Sequence, residues 1–492
     1  MSIWSAETWT AELITAYVAI ATAVGTAVWA VTRFLAERRD ARAQAAALAA
    51  EQLKQRRDEE LRSRQQRAAD LVKAVGEATD PVARRWTMSA LSLYPDESLD
   101  LLLNALGEAN PEDAAAIKLA VTSVGGEALS RVVRAHRIAL QICGTEVVPI
   151  ESTDPVVGQR RVDVDNASRV RDCTREIIIN LLFQLDDDQR AIVDLADVDF
   201  TGANLSFARF ARTKFRKTRL DKADFTRARL SEAVFRGAKM DGTVLTRADL
   251  RSADLTGASG AVRAIRSDLT ESILDQANFS HATMDAIRLK RASLRQAKLD
   301  NATLAGASLT GAVLDRTRLC RVSAHHVSAS QVHGMGVDLS HADISDGKIP
   351  RSRFERTRLV RIEGTRLQAD DSVFVNCNFG GAKLSQSSFI GVEFTGCVMG
   401  GVTLMGAMLH KARFRSCSFS SCDLSMASVT YARFDSCTFS GKVRLIGVDL
   451  TDVVFDRCIF RDNLSLITDN DSWQRASLDD VAVAAFRRSA PV

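Results

Sequence analysis

From Phe200 onward the apolar residues recur at every fifth position: Phe200, Leu205, Phe210, Phe215, Leu220, Phe225, Leu230, Phe235, Met240, Leu245, Leu250 and Leu255. We call this position i. Two residues earlier the side chain is small, as at Ala203, Ala208, Ala223, Ala228, Ala233, Ala238, Ala248 and Ala253, and the other three positions are mostly polar or charged. Neither the 3.6-residue period of a helix nor the two-residue period of a strand gives this pattern. The phase slips by one residue near 256–267 and resumes from Leu269 to Leu319. It returns from Leu339 to Leu359 and from Phe374 to Phe439, and an inserted residue near Lys442 shifts it to Leu445, Leu450, Phe455 and Phe460. Between Cys320 and Val337 small and large side chains trade places, with Val322, Val327 and Val332 at i−2 and Ala324, Ala329 and Gly334 at i. That exchange roughly conserves core volume, so the pattern should continue through it.

The residues before the repeat follow helical rules. Leu13–Val31 is an uncharged run long enough to cross a bilayer core as a helix. Trp4, Trp9 and Trp29 lie near its ends, where amphipathic rings prefer the headgroup level. Glu7 and Glu12 precede it and Arg33, Arg38, Arg39 and Arg42 follow, which is the reverse of a signal peptide. This predicts a membrane anchor (1–33) with the N-terminus outside and the rest of the chain in the cytoplasm. Residues 34–75 lack Gly and Pro and predict a charged helical stalk. Residues 76–190 predict a small helical domain. Asp80-Pro81 and Asn110-Pro111 mark helix starts, Gly125-Gly126 a break, and 146–168, with Pro149, Pro155 and Gly158, a linker. The apolar helix Val170–Leu185 is placed to cap whatever the repeat builds. Two helix hairpins over about 60 residues also resemble HEAT or armadillo repeats, although a plain helical domain fits equally.

Segments such as Ala203-Asn204-Leu205-Ser206 and Ala248-Asp249-Leu250-Arg251-Ser252 resemble the A-(D/N)-L-X-X signature of the pentapeptide repeat family, over roughly 265 residues. The resemblance implies a right-handed, four-sided β-helix with four pentapeptides per coil, in which i and i−2 point inward. The fold class is therefore α + β, with the solenoid at 191–464 and a C-terminal segment at 465–492. A twenty-residue coil should stack identical side chains, and Phe354, Phe374, Phe394, Phe414 and Phe434 stand twenty apart, as do Leu384, Leu404 and Leu424. Phe455 and Leu445 continue these columns after the insertion. About 13 coils would make a rod of roughly 60 Å. Its open ends need covers, and 473–488, with Trp473, Leu478, Val481, Val483 and Phe486, reads as a capping helix or as a homodimer contact.

Composition refines this picture. Of 21 Phe, 17 fall at i, against only 3 Tyr in the chain, so the aromatics belong to a dry repeated position. Cys377, Cys397, Cys417, Cys437 and Cys458 form an inward column at i−2, where Cys acts as a small hydrophobe rather than a metal ligand. His325, His326, His333 and His341 fall on different faces of a four-sided coil and do not converge on one zinc. Gly334-Met335-Gly336 lacks the following helix of a phosphate loop. No catalytic, cofactor or metal site is predicted. Net charge is +4, and 191–464 carries 39 Lys and Arg against 29 Asp and Glu. Clusters at Arg351, Arg353, Arg356, Arg358 and Arg361, and at Arg212, Lys214, Arg216, Lys217 and Arg219, suit nucleic acid, anionic lipid or acidic proteins, or form a solvated face. Several members of the resembled family mimic DNA and engage type II topoisomerases, but this chain lacks their acidity. The expected role is a non-catalytic, membrane-tethered scaffold for an unknown protein partner, held through residues 13–31. The alternative is binding to nucleic acid or a topoisomerase.

Overall fold

The computed structural model describes residues 11–77, 93–144, 155–461, 464–468, 472–478 and 483–486, with isolated positions between 80 and 90. The chain divides into two units, Met1–Leu101 and Leu102–Val492. In the first, α1 (Ala11–Glu77) is one continuous helix of 67 residues that carries both the expected anchor and the expected stalk. Its N-terminal part leaves Tyr17, Val18, Ile20, Val24, Val28, Trp29 and Val31 exposed. There the hydroxyls of Thr22, Thr26 and Thr32 donate back to carbonyls one turn earlier, so these polar atoms are satisfied within the helix. Arg33 pairs with Glu37 one turn on, at 2.9 Å. Trp4, Glu7, Trp9, Pro81 and Pro149 lie outside the described residues. The Asp80 carboxylate accepts from the Val82 and Ala83 N–H groups, as a helix-starting residue should.

Helix α2 (Pro95–Ala105) leads into the second unit. Helix α3 (Pro111–Ser123) begins where Asn110-Pro111 predicts it: the Asn110 side chain accepts from the Asp113 N–H at 2.8 Å. A 3₁₀ turn at Gly125–Ala128 separates it from α4 (Leu129–Gly144). Helix α5 (Pro155–Gln184) starts inside the stretch expected to be a linker. Proline in a first helical turn forfeits no intrahelical hydrogen bond, so Pro155 opens the helix instead of breaking it. A short α6 (Asp187–Ile192) follows, its Asp186 and Gln189 forming a reciprocal capping box. Ile117 and Val121 of α3, Val132 and Val133 of α4, and Ile177, Ile178, Leu181 and Leu182 of α5 make the buried core of this bundle.

The repeat region is a four-sided parallel coil. One face is followed rung by rung from Asp194 through Lys214, Val234, Asp254, Ile273, Ser293, Val313 and His333. It continues through Arg353, Val373, Glu393, Arg413, Arg433 and Val454 to Ser477, one turn more than expected. Each pentapeptide places its backbone groups in the same way. The N–H at i reaches the next rung, as Leu220 to the Lys239 carbonyl at 2.7 Å. The N–H at i+2 also reaches up, as Lys222 to Asp241 at 2.8 Å, while the i+3 N–H closes the turn on the carbonyl at i, as Ala223 to Leu220 at 2.9 Å. The i+2 residue sits in the left-handed region, with φ of 58° at Lys222 and 57° at Arg227. The Asp or Asn at i−1 supplies the missing acceptor at i+1: Asp224 takes the Thr226 N–H at 2.8 Å and Asp268 that of Thr270 at 3.0 Å. That is the physical content of the D/N position in the repeat.

The phase slip is a coil one residue short, since Lys239 pairs with Ser259 but Val244 pairs with Arg263. Gly260 makes the short turn at φ 139°, where an added Cβ would lie 2.4 Å from the backbone of Met240 and Asp241. Late in the coil Asp423 pairs with Arg444, confirming the insertion near Lys442.

Inside, Phe354, Phe374, Phe394, Phe414, Phe434 and Phe455 stack at 4.8–5.5 Å with their planes within 13° of parallel. The exchanged stretch keeps its register but not its packing. An apolar cavity of about 60 Å³ is lined by Val322, Ala324, Val327, Ala329, Val332 and their neighbours. Valine at i−2 therefore does not replace the volume lost at i.

The two ends close differently. At the first rung, Phe183 of α5 lies 5.6 Å from Phe210, and Arg137 donates to the carbonyls of Ala196 (2.8 Å) and Asp194 (3.1 Å). At the last, the expected capping helix is replaced: Ser477–Leu478 adds a strand to Val454–Phe455, and the helical stretch is 483–486 among the described residues. An added strand satisfies the exposed hydrogen-bonding edge, which a helix would not. Phe486 then plugs the core, its ring 5.8 Å from both Phe455 and Trp473. Val481 lies outside the described residues.

Candidate interaction surface

The outward positions i−1, i+1 and i+2 form four flat walls and four corners, numbered here from the wall that begins at Asp194. Residues twenty apart meet on neighbouring rungs, so charges that look clustered in sequence are redistributed. Arg212 lies on corner 4, Lys214 on wall 1, Arg216 and Lys217 on corner 1 and Arg219 on wall 2. Much of the basic excess is paired across rungs: Arg366 with Asp346 at 2.6 Å, Lys383 with Glu363 at 2.7 Å, Arg457 with Asp435 at 2.7 Å and Arg413 with Glu393 at 3.2 Å. In the second cluster Arg353 binds Glu355 at 2.6 Å and Arg358 approaches Asp338 at 3.6 Å. Corner 4 sets opposite signs on neighbouring rungs, with Arg212 on Glu232 and Arg291 on Glu271. Corner 3 does not: it stacks Phe207, Arg227, Arg247 and Arg266 in successive rungs.

The interior offers no comparable surface. Cys377, Cys397, Cys417, Cys437 and Cys458 are buried in a column, as their spacing requires. Each Sγ donates to a phenylalanine carbonyl one rung below, from Cys377 on Phe354 at 3.4 Å to Cys458 on Phe434 at 3.5 Å. Thr218, Thr243, Thr317, Ser352 and Ser372 use the same bond at i−2, so cysteine here is a weak donor as well as a small hydrophobe. The neighbouring thiols and burial hold Cys397 and Cys437 far above the ordinary thiol range. Cys422 belongs to another face and went unnoticed because no column repeats it. Its thiol donates to the Met399 carbonyl at 2.7 Å, and burial pushes its pKa up to about 11.

The histidines separate as the coil geometry predicts. The rings of His325 and His326 sit 5.6 Å apart on corner 3, His333 contacts Asp315 on wall 1, and His341 lies on corner 2. Gly334-Met335-Gly336 is part of the coil: His333–Met335 is a strand paired with Arg353–Glu355.

One polar site escaped the sequence pattern. His136 of α4 is fully buried and joins the helices to the first coil. Its Nδ1 lies 3.1 Å from the Arg171 carbonyl and 2.9 Å from Thr174 Oγ1, and its Nε2 accepts the Asp199 N–H at 3.0 Å. The acceptor role requires the neutral ring. Burial lowers its pKa to about 4, against partial support for the charged form from the Asp199 carboxylate. The partners lie 35 to 63 residues away, which no local motif reports.

The family comparison agrees with this geometry. The family model for pentapeptide repeats matches in eight copies, over residues 194–231, 228–259, 287–323, 372–410 and 404–441. Among solved structures, the chain is similar to HetL, a pentapeptide repeat protein involved in heterocyst differentiation regulation in the cyanobacterium Nostoc. Identity is 23% over 43% of this chain and 89% of that one, with a TM-score of 0.26. It is also similar to a variant of QnrB1, a plasmid-mediated fluoroquinolone resistance protein, at 15% identity over 43% of this chain and 96% of that one, with a TM-score of 0.20. A pentapeptide repeat protein of the Arabidopsis thaliana thylakoid lumen is 26% identical over 24% of this chain and 68% of that one, with a TM-score of 0.12. No curated protein matches the chain. With the repeat model matched in five stretches that all lie on the four-sided coil, the coil is a pentapeptide-repeat solenoid.

Proposed function

We propose that this protein is a non-catalytic interaction scaffold tethered to a membrane, which presents the wall and corners of its coil to a protein partner in the cytoplasm. The observation that carries the reading is the contrast between a sealed apolar interior and a continuous, individually patterned exterior on one polypeptide. A rigid surface of this kind positions a partner without chemistry. The tether rests on α1, which contains a stretch long and apolar enough to cross a membrane, with its apolar side chains exposed. The arginines after that stretch favour the orientation with the coil inside. Rung-to-rung pairing of Arg and Lys with carboxylates weighs against the nucleic-acid reading, because paired cations have fewer counterions to release.

The test is in-cell crosslinking of the full-length chain, followed by mass spectrometry, beside a variant whose apolar stretch 15–31 is replaced by a soluble helix. The scaffold reading expects the chain in the membrane fraction and a reproducible protein adduct that is lost with the tether. Recovery chiefly of nucleic acid, or an unchanged soluble distribution for both forms, contradicts it.

A further inference from the structure

Corner 3 holds Arg227, Arg247 and Arg266 one above another, all exposed, with Phe207 one rung below and Ala286 one rung above. Like charges about 4.8 Å apart repel, and the coil avoids this on corner 4 by setting Arg212 against Glu232 and Arg291 against Glu271. On corner 3 it does not. The carboxylates beside the three arginines are engaged elsewhere. Asp224 takes the Thr226 N–H and hydroxyl (2.8 and 2.5 Å), Asp249 binds Arg251 through both oxygens (2.8 and 2.7 Å), Asp268 holds Thr270 (3.0 and 2.6 Å), and Asp285, one rung above Arg266 on the same corner, accepts the Ala305 N–H at 3.0 Å. Among the described residues none of the three guanidinium groups has an ion-pair partner, and they line an open surface cleft of about 400 Å³ with Thr226, Thr246 and Phe207. Phe207 is 64% exposed and lies 5.7 Å from the Arg227 guanidinium, so an apolar contact adjoins the charged ladder.

We infer that this ladder docks an α-helical segment of the partner that carries an apolar residue followed by acidic residues four, seven and eleven positions further on. The spacing selects the helix. Three rungs span about 10 Å from first to third, and acidic residues seven apart on one helix face span about 10.5 Å. Alternate residues of an extended strand would spread three charges over about 13 Å. A duplex is a poorer fit: a protein held on DNA by charge typically makes roughly six to ten phosphate contacts, whereas the ladder offers three arginines. The inference rests on the scaffold reading and names the chemistry of its partner.

The test uses the purified full-length chain and three labelled probes. These are a helical peptide with Leu and three Glu in that register, a peptide of the same composition with the Glu residues scattered round the helix, and an oligothymidylate. The ladder variant is R227N/R247N/R266N, since Asn enters the left-handed region readily and should leave the coil intact. The control, R212N/R291N/R366N, removes the same charge from paired arginines. The registered peptide should bind about tenfold or more tighter than the scattered one at low salt. That preference should vanish in the ladder variant and survive in the control. Equal affinity for the two peptides, tighter binding of the oligonucleotide, equal loss in the control, or no peptide binding each overturns the ladder. If the ladder fails while in-cell crosslinking still captures a tether-dependent protein, the scaffold reading stands without it; if both fail, both are wrong.

Discussion

The coil is packed in two ways. From Phe354 onward, columns of parallel phenylalanine rings fill two faces, and Cys and Ser at i−2 bond the carbonyls below them. Before Phe354, beyond an opening cluster of Phe200, Phe210, Phe215, Phe225 and Phe235, the same backbone carries mostly Leu and Ala, absorbs a missing residue at Gly260, and leaves a cavity where valine and alanine trade places. Apart from the short coil at Gly260 and the long one near Lys442, both segments keep the twenty-residue register. Backbone bonding and the left-handed corner therefore set the coil, and the choice of side chain at i sets how tightly each stretch is held. Because each rung touches only its neighbours, the difference should appear as local opening rather than as one global transition.

The largest effect should come from Phe394→Ala, which removes a ring stacked on both sides at 5.2 and 4.9 Å. A loss of about 3–5 kcal/mol is expected, read as faster amide exchange centred on 374–414. Gly260→Ala should cost about 3 kcal/mol or more, since both its φ and the backbone contact exclude a Cβ, and the opening should stay near 239–263.

Acid sharpens the comparison at the other end of the earlier segment. His136 has its folded pKa lowered from 6.5 to about 4, so the unfolded state takes up the proton first. The junction is fully stable above pH 6.5 and loses up to about 3 kcal/mol as pH falls towards 4. Exchange near Asp199 should rise over that window while the phenylalanine columns stay protected, and His136→Gln should flatten the dependence. The smallest effect is one of sign. Ala329→Val enters the cavity and should gain about 1 kcal/mol, whereas Ala369→Val, two rungs up the same wall and outside the cavity, should lose about 1–3 kcal/mol. Paired thermal melts of the two variants check this, and equal signs would dissolve the distinction between the segments.

Much of this was legible before any coordinates. The five-residue period located the inward residues, the twenty-residue spacing the phenylalanine and cysteine columns, and the phase changes the short and long coils. What the sequence hid depends on partners remote in the chain. Nothing local marks His136 as the acceptor of the Asp199 N–H. Pro155 read as a breaker because its place in a first turn depends on where the helix begins. The C-terminal residues read as an amphipathic helix although Ser477 and Leu478 answer to the unpaired edge of Val454 and Phe455. The arginines at 227, 247 and 266 lie outside the basic clusters visible along the sequence. Their clustering exists only at the period of the coil, across the shortened turn.

The proposed ladder places function on a particular corner of an otherwise regular coil. Site-specific photo-crosslinking in cells tests it most directly. One probe replaces Ala286, directly above the ladder on corner 3, and the other replaces Ser252, on corner 4. A discrete protein adduct is expected from position 286 that disappears in R227N/R247N/R266N, and none from position 252. The same adducts from both corners, or an adduct at 286 indifferent to the arginines, would contradict the ladder.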